Sequence, residues 1–144
     1  MKYASINDLD NICSIFSKYK SVFPHIRYDY LKRKIIDQEV IFDREVVIIF
    51  TEYKRTVNLG SVKIPRTHIM LHQIANVNQG NGEAGRVLKI FCKTISYPIW
   101  LTVRSDNHRA IKFYLKNGFL KAGAIAWKNG TIKGTIFKKE SLQR

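Results

Sequence analysis

The chain has 144 residues, enough for a single domain that buries about two-thirds of the surface its unfolded form exposes, and its 45% hydrophobic and 12% aromatic content is globular. Twenty-five Lys and Arg against eleven Asp and Glu give a formal net charge of +14, which favours polyanionic partners. With no run of about 18 apolar residues and no charged-then-apolar leader pattern, the reading excludes a membrane-spanning helix and expects a soluble, cytoplasmic protein.

In chain order, Tyr3, Ala4 and Ile6 suggest a short first strand, and Asn7 or Asp8 opens a helix whose inward face carries Leu9, Ile12, Cys13, Phe16 and Tyr19. Residues 20–28, with Pro24, read as a loop. Asp29 caps a second helix of about 29–38, with Leu31, Ile35 and Ile36 inward and Lys32, Arg33 and Lys34 largely in solvent. Val40-Ile41-Phe42, a turn at Asp43-Arg44, and Glu45 to Tyr53 make a hairpin, because β-branched residues are dense and bounded by polar ones. Residues 54–66 are polar, with Gly60 and Pro65, and read as an exposed loop in which Ser61 to Ile64 is a short strand extension.

Thr67 to Val77 is the next strand, and it runs straight into Gln79-Gly80-Asn81-Gly82-Glu83-Ala84-Gly85. Glycines at a strand-to-helix turn let the backbone approach a ligand, and the first unpaired N–H groups of the helix point at it, so the turn suits an anion such as a phosphate. Ala84 to about Ile95 is an amphipathic helix built on Val87, Leu88, Phe91, Cys92 and Ile95. A strand over 98–103, a helix over 107–116 capped by Asp106 or Asn107, a strand over 118–126 and a final strand over 131–138 after Asn129-Gly130 complete the order. Cys13 and Cys92 fall on apolar helix faces as small buried hydrophobes, and no His/Cys spacing suggests a metal site.

The segment from Val103 to Phe119 fills every fixed position of V-x-x-x-N-x-x-A-x-x-F-Y-x-x-x-G-F, with Asn107, Ala110, Phe113, Tyr114 and Gly118 between its ends. Upstream, Gln79-x-x-Gly82-x-Ala84 matches a Q/R-x-x-G-x-G/A turn. In both motifs the chain resembles the GNAT N-acyltransferase superfamily over roughly residues 69–120. The resemblance implies an α+β fold: a mixed, mostly antiparallel central sheet of six to seven strands, about four helices, and a splayed strand pair at the acyl-CoA site. It implies an acyl-CoA-dependent N-acyltransferase, most simply using acetyl-CoA, with direct transfer to an amine in a ternary complex and no metal.

The resemblance also assigns residues. Gln73, Ile74 and Ala75 would meet the pantetheine arm through their backbone. Gln79, Gly80, Asn81, Gly82, Glu83, Ala84 and Gly85 would hold the pyrophosphate, with Arg86 reaching a phosphate. Asn107 and Phe113 would line the cofactor, Asn107 by bonding its arm or by capping the helix. Tyr114 stands where a phenol protonates the departing thiolate, a role set against that of a core aromatic at helical spacing. His72, at the same parity as Met70 and Ile74, is the general-base candidate, set against a structural strand histidine. Glu83 departs from the pattern, since a carboxylate repels a pyrophosphate unless it faces solvent or pairs with Arg86 or a lysine. A stretch of only three residues between Ala75 and Gln79 is a second departure. The scattered basic surplus leaves open an acceptor on a nucleic acid or nucleic-acid-bound protein. It also leaves open a noncatalytic GNAT-fold module that docks on nucleic acid or an acidic protein.

Overall fold

The computed structural model describes residues 1–18 and 27–141. Tyr19 and the loop containing Pro24 and His25 lie outside the described residues. The first expected strand is reduced to a bridge, Tyr3 to Ile41, because the chain turns at once into a 3-10 turn over Ile6–Asp8. Asp8 fastens that turn by accepting the Ser5 N–H at 2.8 Å. Helix α1 (Leu9–Ser17) follows with Leu9, Ile12, Ile15 and Phe16 buried, and α2 spans Tyr28–Ile36. Three expectations for α2 fail. Asp29 lies inside the first turn, and the N-cap is Arg27, without a side-chain cap bond. Ile36 is 59% exposed, whereas Lys34 is only 7% exposed, for reasons given below.

Strands β1 (Val40–Asp43) and β2 (Val46–Glu52) form the expected hairpin, with its turn one residue later, at Arg44 and Glu45, both at positive φ. The stretch read as a loop is a second small hairpin, β3 (Val57–Leu59) and β4 (Val62–Ile64). Its Val62 and Ile64 leave polar neighbours on the other side, and Ser61 bonds both backbone groups of Ala124, so the excursion covers part of the sheet. Strands β5 (Ile69–Asn76), β6 (Ile99–Arg104), β7 (Leu120–Trp127) and β8 (Ile132–Lys139) complete a six-stranded sheet in the order β1-β2-β5-β6-β8-β7. All pairings are antiparallel except β5 with β6. Helices α3 (Glu83–Thr94) and α4 (His108–Lys116) lie where the periodicity placed them.

The sheet has two packed faces. Val87, Leu88, Phe91 and Cys92 of α3 cover Ile48, Phe50, Leu71, Leu101, Val103 and Phe137 on the first, with Phe113 and Tyr114 of α4 packed alongside. The second is covered by α1 and α2 over Val47, Ile49 and Ala75, and by the small hairpin over Met70, Trp100 and Ile136. Each strand serves both faces by alternation. Cys92 is buried and Cys13 half-buried, both as free thiols.

Candidate functional site

The parallel ladder between β5 and β6 contains only Ile69 with Ile99 and Met70 with Trp100. β6 continues to Arg104 against β8, and β5 continues to Asn76 against β2, so the two neighbours part beyond Met70. Among the described residues, Leu71 to Ala75 thus have no ladder partner on that side, a row of backbone donors and acceptors facing the wedge between the two strands. Gln73, Ile74 and Ala75 lie on this edge, and among the described residues the buried side-chain oxygen of Gln73 has no hydrogen-bond partner.

The glycine turn closes the wide end. Gly80 and Gly82 have φ of +85° and +78°, conformations that side chains strain to adopt, and Gly82 is the residue from which α3 starts. Asn81 does more here than lend its backbone. Its Oδ1 accepts the Glu83 N–H at 3.0 Å and the Asn76 Nδ2–H at 2.9 Å, tying turn to strand. One of the helix donors expected to meet a phosphate is therefore occupied, leaving the N–H groups of Ala84 and Gly85 as the first-turn donors. Glu83 pairs with Arg86, as its position demands, and lies 3.9 Å from Arg44 of the β1–β2 turn. The Arg86 guanidinium also donates to the Asn81 carbonyl at 3.3 Å, and a Cβ on Gly82 would stand 3.7 Å from it. The cradle is thus roofed by its own arginine, held back by the departing residue Glu83. Gln79 is exposed on the turn.

On the α3–α4 face, Asn107 caps α4, accepting the Ala110 N–H at 3.2 Å, while Asp106 pairs instead with Arg104. Phe113 and Phe119 meet the Tyr114 ring edge-on, at 5.3 and 5.6 Å between centroids. Among the described residues the Tyr114 hydroxyl has no hydrogen-bond partner, and burial pushes its pKa up to about 12. The phenol holds its proton throughout the physiological range. Burial raises the Cys92 thiol of the same face to about 11, although nearby Lys139 pulls the other way.

His72 keeps its expected parity with Met70 but not with Ile74. The β2–β5 register slips between Ile49 and Phe50, so that Leu71 faces Phe50, Gln73 faces Ile49, and His72 is the extra residue of a β-bulge. The bulge reverses the alternation: Met70 packs on the second face and Ile74 on the first. His72 shares the second face with Thr51, whose Oγ1 is 2.7 Å from its Nε2. Thr51 in turn receives the Lys34 ammonium at 2.9 Å, and Lys34 pairs with Glu39 at 2.8 Å. That pairing explains why Lys34 is buried. No local pattern signals it, because its partners lie beyond the helix end and on a strand. Although the imidazole keeps solvent-exposed surface, the protein packed around it and the Lys34 ammonium hold its pKa down, to about 4. His68 has a structural bond, its Nδ1 accepting the Trp100 indole N–H at 3.0 Å.

Among the described residues there is no cluster of three or more His, Cys, Asp or Glu able to hold a metal, and no helix long and apolar enough to cross a membrane. No family model and no curated protein matches the sequence. Solved structures do match in shape. A GNAT-family acetyltransferase from Bacillus cereus superposes with a TM-score of 0.74 at 19% identity, covering 99% of this chain and 96% of its own. Ard1 from Thermoplasma volcanium gives 0.75 at 15% identity, covering 99% and 97%. Arabidopsis thaliana NAA60, solved with acetyl-CoA, gives 0.70 at 14% identity, covering 96% and 97%. Shape shared over almost the whole length, at identities this low, establishes that this chain has the GNAT fold.

Proposed function

We propose that the chain is an acyl-CoA-dependent N-acyltransferase, most simply an acetyltransferase, that transfers the acyl group directly to an amine within a ternary complex. The observation that carries this reading is the wedge: β5 leaves β6 after two residue pairs, and a glycine turn opening a helix N-terminus stands at its wide end. NAA60 with acetyl-CoA and the NatC complex with CoA and Gag peptide, both of this fold, are solved with such ligands. A thioester supplies an already activated carbonyl. The unpaired edge at Gln73 to Ala75 would run along the pantetheine arm, the Ala84 and Gly85 amides would face the diphosphate, and Arg86 would turn from Glu83 to a phosphate.

In the transfer, the amine nitrogen bonds to the acyl carbon, the carbon–sulfur bond breaks, and Tyr114 gives its proton to the departing sulfur. The proton lost by the amine restores the phenol. A phenol at about 12 is a weak acid, yet the burial that keeps it protonated also disfavours a free thiolate, so a departing sulfur on this face takes a proton more readily than it would in water. The amine is left general by this geometry. An acceptor carried by a nucleic acid or its bound protein agrees with the charge of +14.

A second reading is favoured by the Glu83–Arg86 pair over Gly82: a noncatalytic module that docks on nucleic acid or an acidic protein and whose cradle stays shut. Calorimetric titration with acetyl-CoA separates the two. Micromolar binding weakened at least about tenfold by Gly82→Asp supports the enzyme, since a carboxylate inside the cradle opposes a diphosphate. No binding of any acyl-CoA, with salt-sensitive affinity for DNA or RNA, supports the module.

A further inference from the structure

The second face of the wedge holds a chain of polar contacts that the transfer chemistry does not by itself require. It begins at Lys34, buried on α2, and passes through the Thr51 hydroxyl on β2 to the bulged His72 on β5. Glu39 anchors it, accepting Lys34 with one oxygen at 2.8 Å and the backbone N–H of Glu52 with the other at 2.7 Å.

The direction of the hydrogen bonds follows from counting. An ammonium has three donors and no acceptor, so Lys34 donates to Thr51. The Thr51 hydroxyl has one proton, and the neighbouring acceptor that remains is His72 Nε2 at 2.7 Å. The reverse arrangement, with Nε2–H donating to Thr51, leaves the hydroxyl proton without an acceptor in the network.

We propose that Lys34 and Thr51 are positioning residues that lock His72 as a neutral imidazole with its proton on Nδ1, so that in the proposed transfer His72 acts as a hydrogen-bond donor and not as the general base. The role in transfer rests on the acyltransferase reading, but the lock itself is a property of the folded chain. Nε2 is engaged by Thr51, so the lone pair that would take a substrate proton is already used. The imidazolium is opposed by the protein packed around the ring and by the Lys34 charge; Glu39, whose influence runs the other way, is neutralised by the same lysine, and Tyr30 is the other ionisable group of α2 that feels Glu39. The neutral ring then offers Nδ1–H to a carbonyl or water beside the incoming amine. Nucleophile selection falls to amines already unprotonated, since the ring is a poor proton acceptor.

Nitrogen-15 NMR of histidine-labelled protein tests the lock without any substrate. His72 is assigned by its loss in His72→Gln. The expected spectrum shows Nδ1 protonated and Nε2 bare from about pH 5.5 to 8, with no titration in that range. Thr51→Val, which keeps the side chain's shape, is expected to move the proton to Nε2, whereas Thr51→Ser keeps it on Nδ1. Lys34→Met is expected to bring the midpoint up towards 6.5, and if that variant does not fold, the Thr51 pair still decides. A wild-type His72 that titrates near 6.5, carries its proton on Nε2, or is indifferent to Thr51→Val overturns the proposal. Failure to bind acyl-CoA would leave these spectra unchanged, so the lock and the acyltransferase reading fail separately.

Discussion

Replacing Glu83 by Gln probes the cradle directly, because this carboxylate is the only acidic group between Gln79 and Arg86 and it is what holds Arg86 back. As the first residue of α3, it stands within one helical turn, about 5–6 Å, of any diphosphate held by that helix's amides. Over that distance a carboxylate and one phosphate charge repel by about 0.8–1.5 kcal/mol for effective dielectrics of roughly 80 down to 40. Freeing Arg86 from this pair, in which the arginine is exposed and the glutamate half-buried, contributes about 1 kcal/mol, and salt screening removes part of both terms. The net expectation is about 1–2 kcal/mol, an affinity for acetyl-CoA raised about 5–30-fold. Calorimetry at low and high salt reads it, with the gain shrinking as salt rises. The substitution also removes a favourable negative charge from a helix start, so the melting temperature should fall slightly while affinity rises. Opposite signs in the two measurements are difficult to obtain from a general structural defect. Equal or weaker binding by a folded Glu83→Gln protein would mean that no diphosphate sits at the start of α3.

Two further outcomes follow from the other groups. Tyr114→Phe should lower turnover about 10²–10⁴-fold with acetyl-CoA affinity changed less than about twofold, because its hydroxyl has no partner among the described residues; stopped-flow thiol release checks this, and equal turnover removes Tyr114 from the chemistry. For His72 the folded-state pKa is depressed, to about 4 from 6.5, so below pH 6.5 the unfolded chain takes up a proton that the folded ring refuses. Stability is therefore fully present above about pH 6.5 and falls as the pH drops towards 4, by less than for a fully buried ring because part of this one is in solvent. Thermal melts should show the wild type losing more than His72→Gln between pH 7 and 4.5. His68, lowered by burial and by Lys138, acts in the same direction in both proteins and cancels in the comparison; parallel profiles would refute the assignment.

What could be read from the sequence was what local periodicity encodes. Both motif-bearing helices, the hairpin at residues 40–52 and the final strand pair followed from alternation, helical spacing and turn residues. The Glu83–Arg86 pair was legible as well, because residues three apart share a helix face. The small hairpin was missed because its three-residue strands are too short to show a period, and Val62 and Ile64 gain their burial only by reaching across to Met70 and Ile136. Lys34 was misplaced for a related reason. A lysine enters the protein only when a partner meets it there, and Glu39 and Thr51 are brought to it by tertiary packing. From the sequence Asn81 offers the cradle a backbone N–H, whereas in the fold its side chain also ties the turn to Asn76.

The bulge at His72 connects these findings, since strand parity assigned from sequence fails just beyond the point where β5 leaves β6. Without the extra residue, Met70 and Ile74 would face the same way, and the end of β5 could not place Ile74 against the α3–α4 face while Ala75 packs beneath α1 and α2. With it, β5 leaves β6 at Met70, changes phase two residues later, and delivers His72 to Thr51 on the opposite face from Tyr114. Bulges bend strands and increase local twist, and here the bend falls where the parallel ladder stops. The same irregularity coincides with the parting of the strands and supplies a polar group to the second face. In the proposed transfer Tyr114 and His72 would therefore act from opposite faces of the sheet.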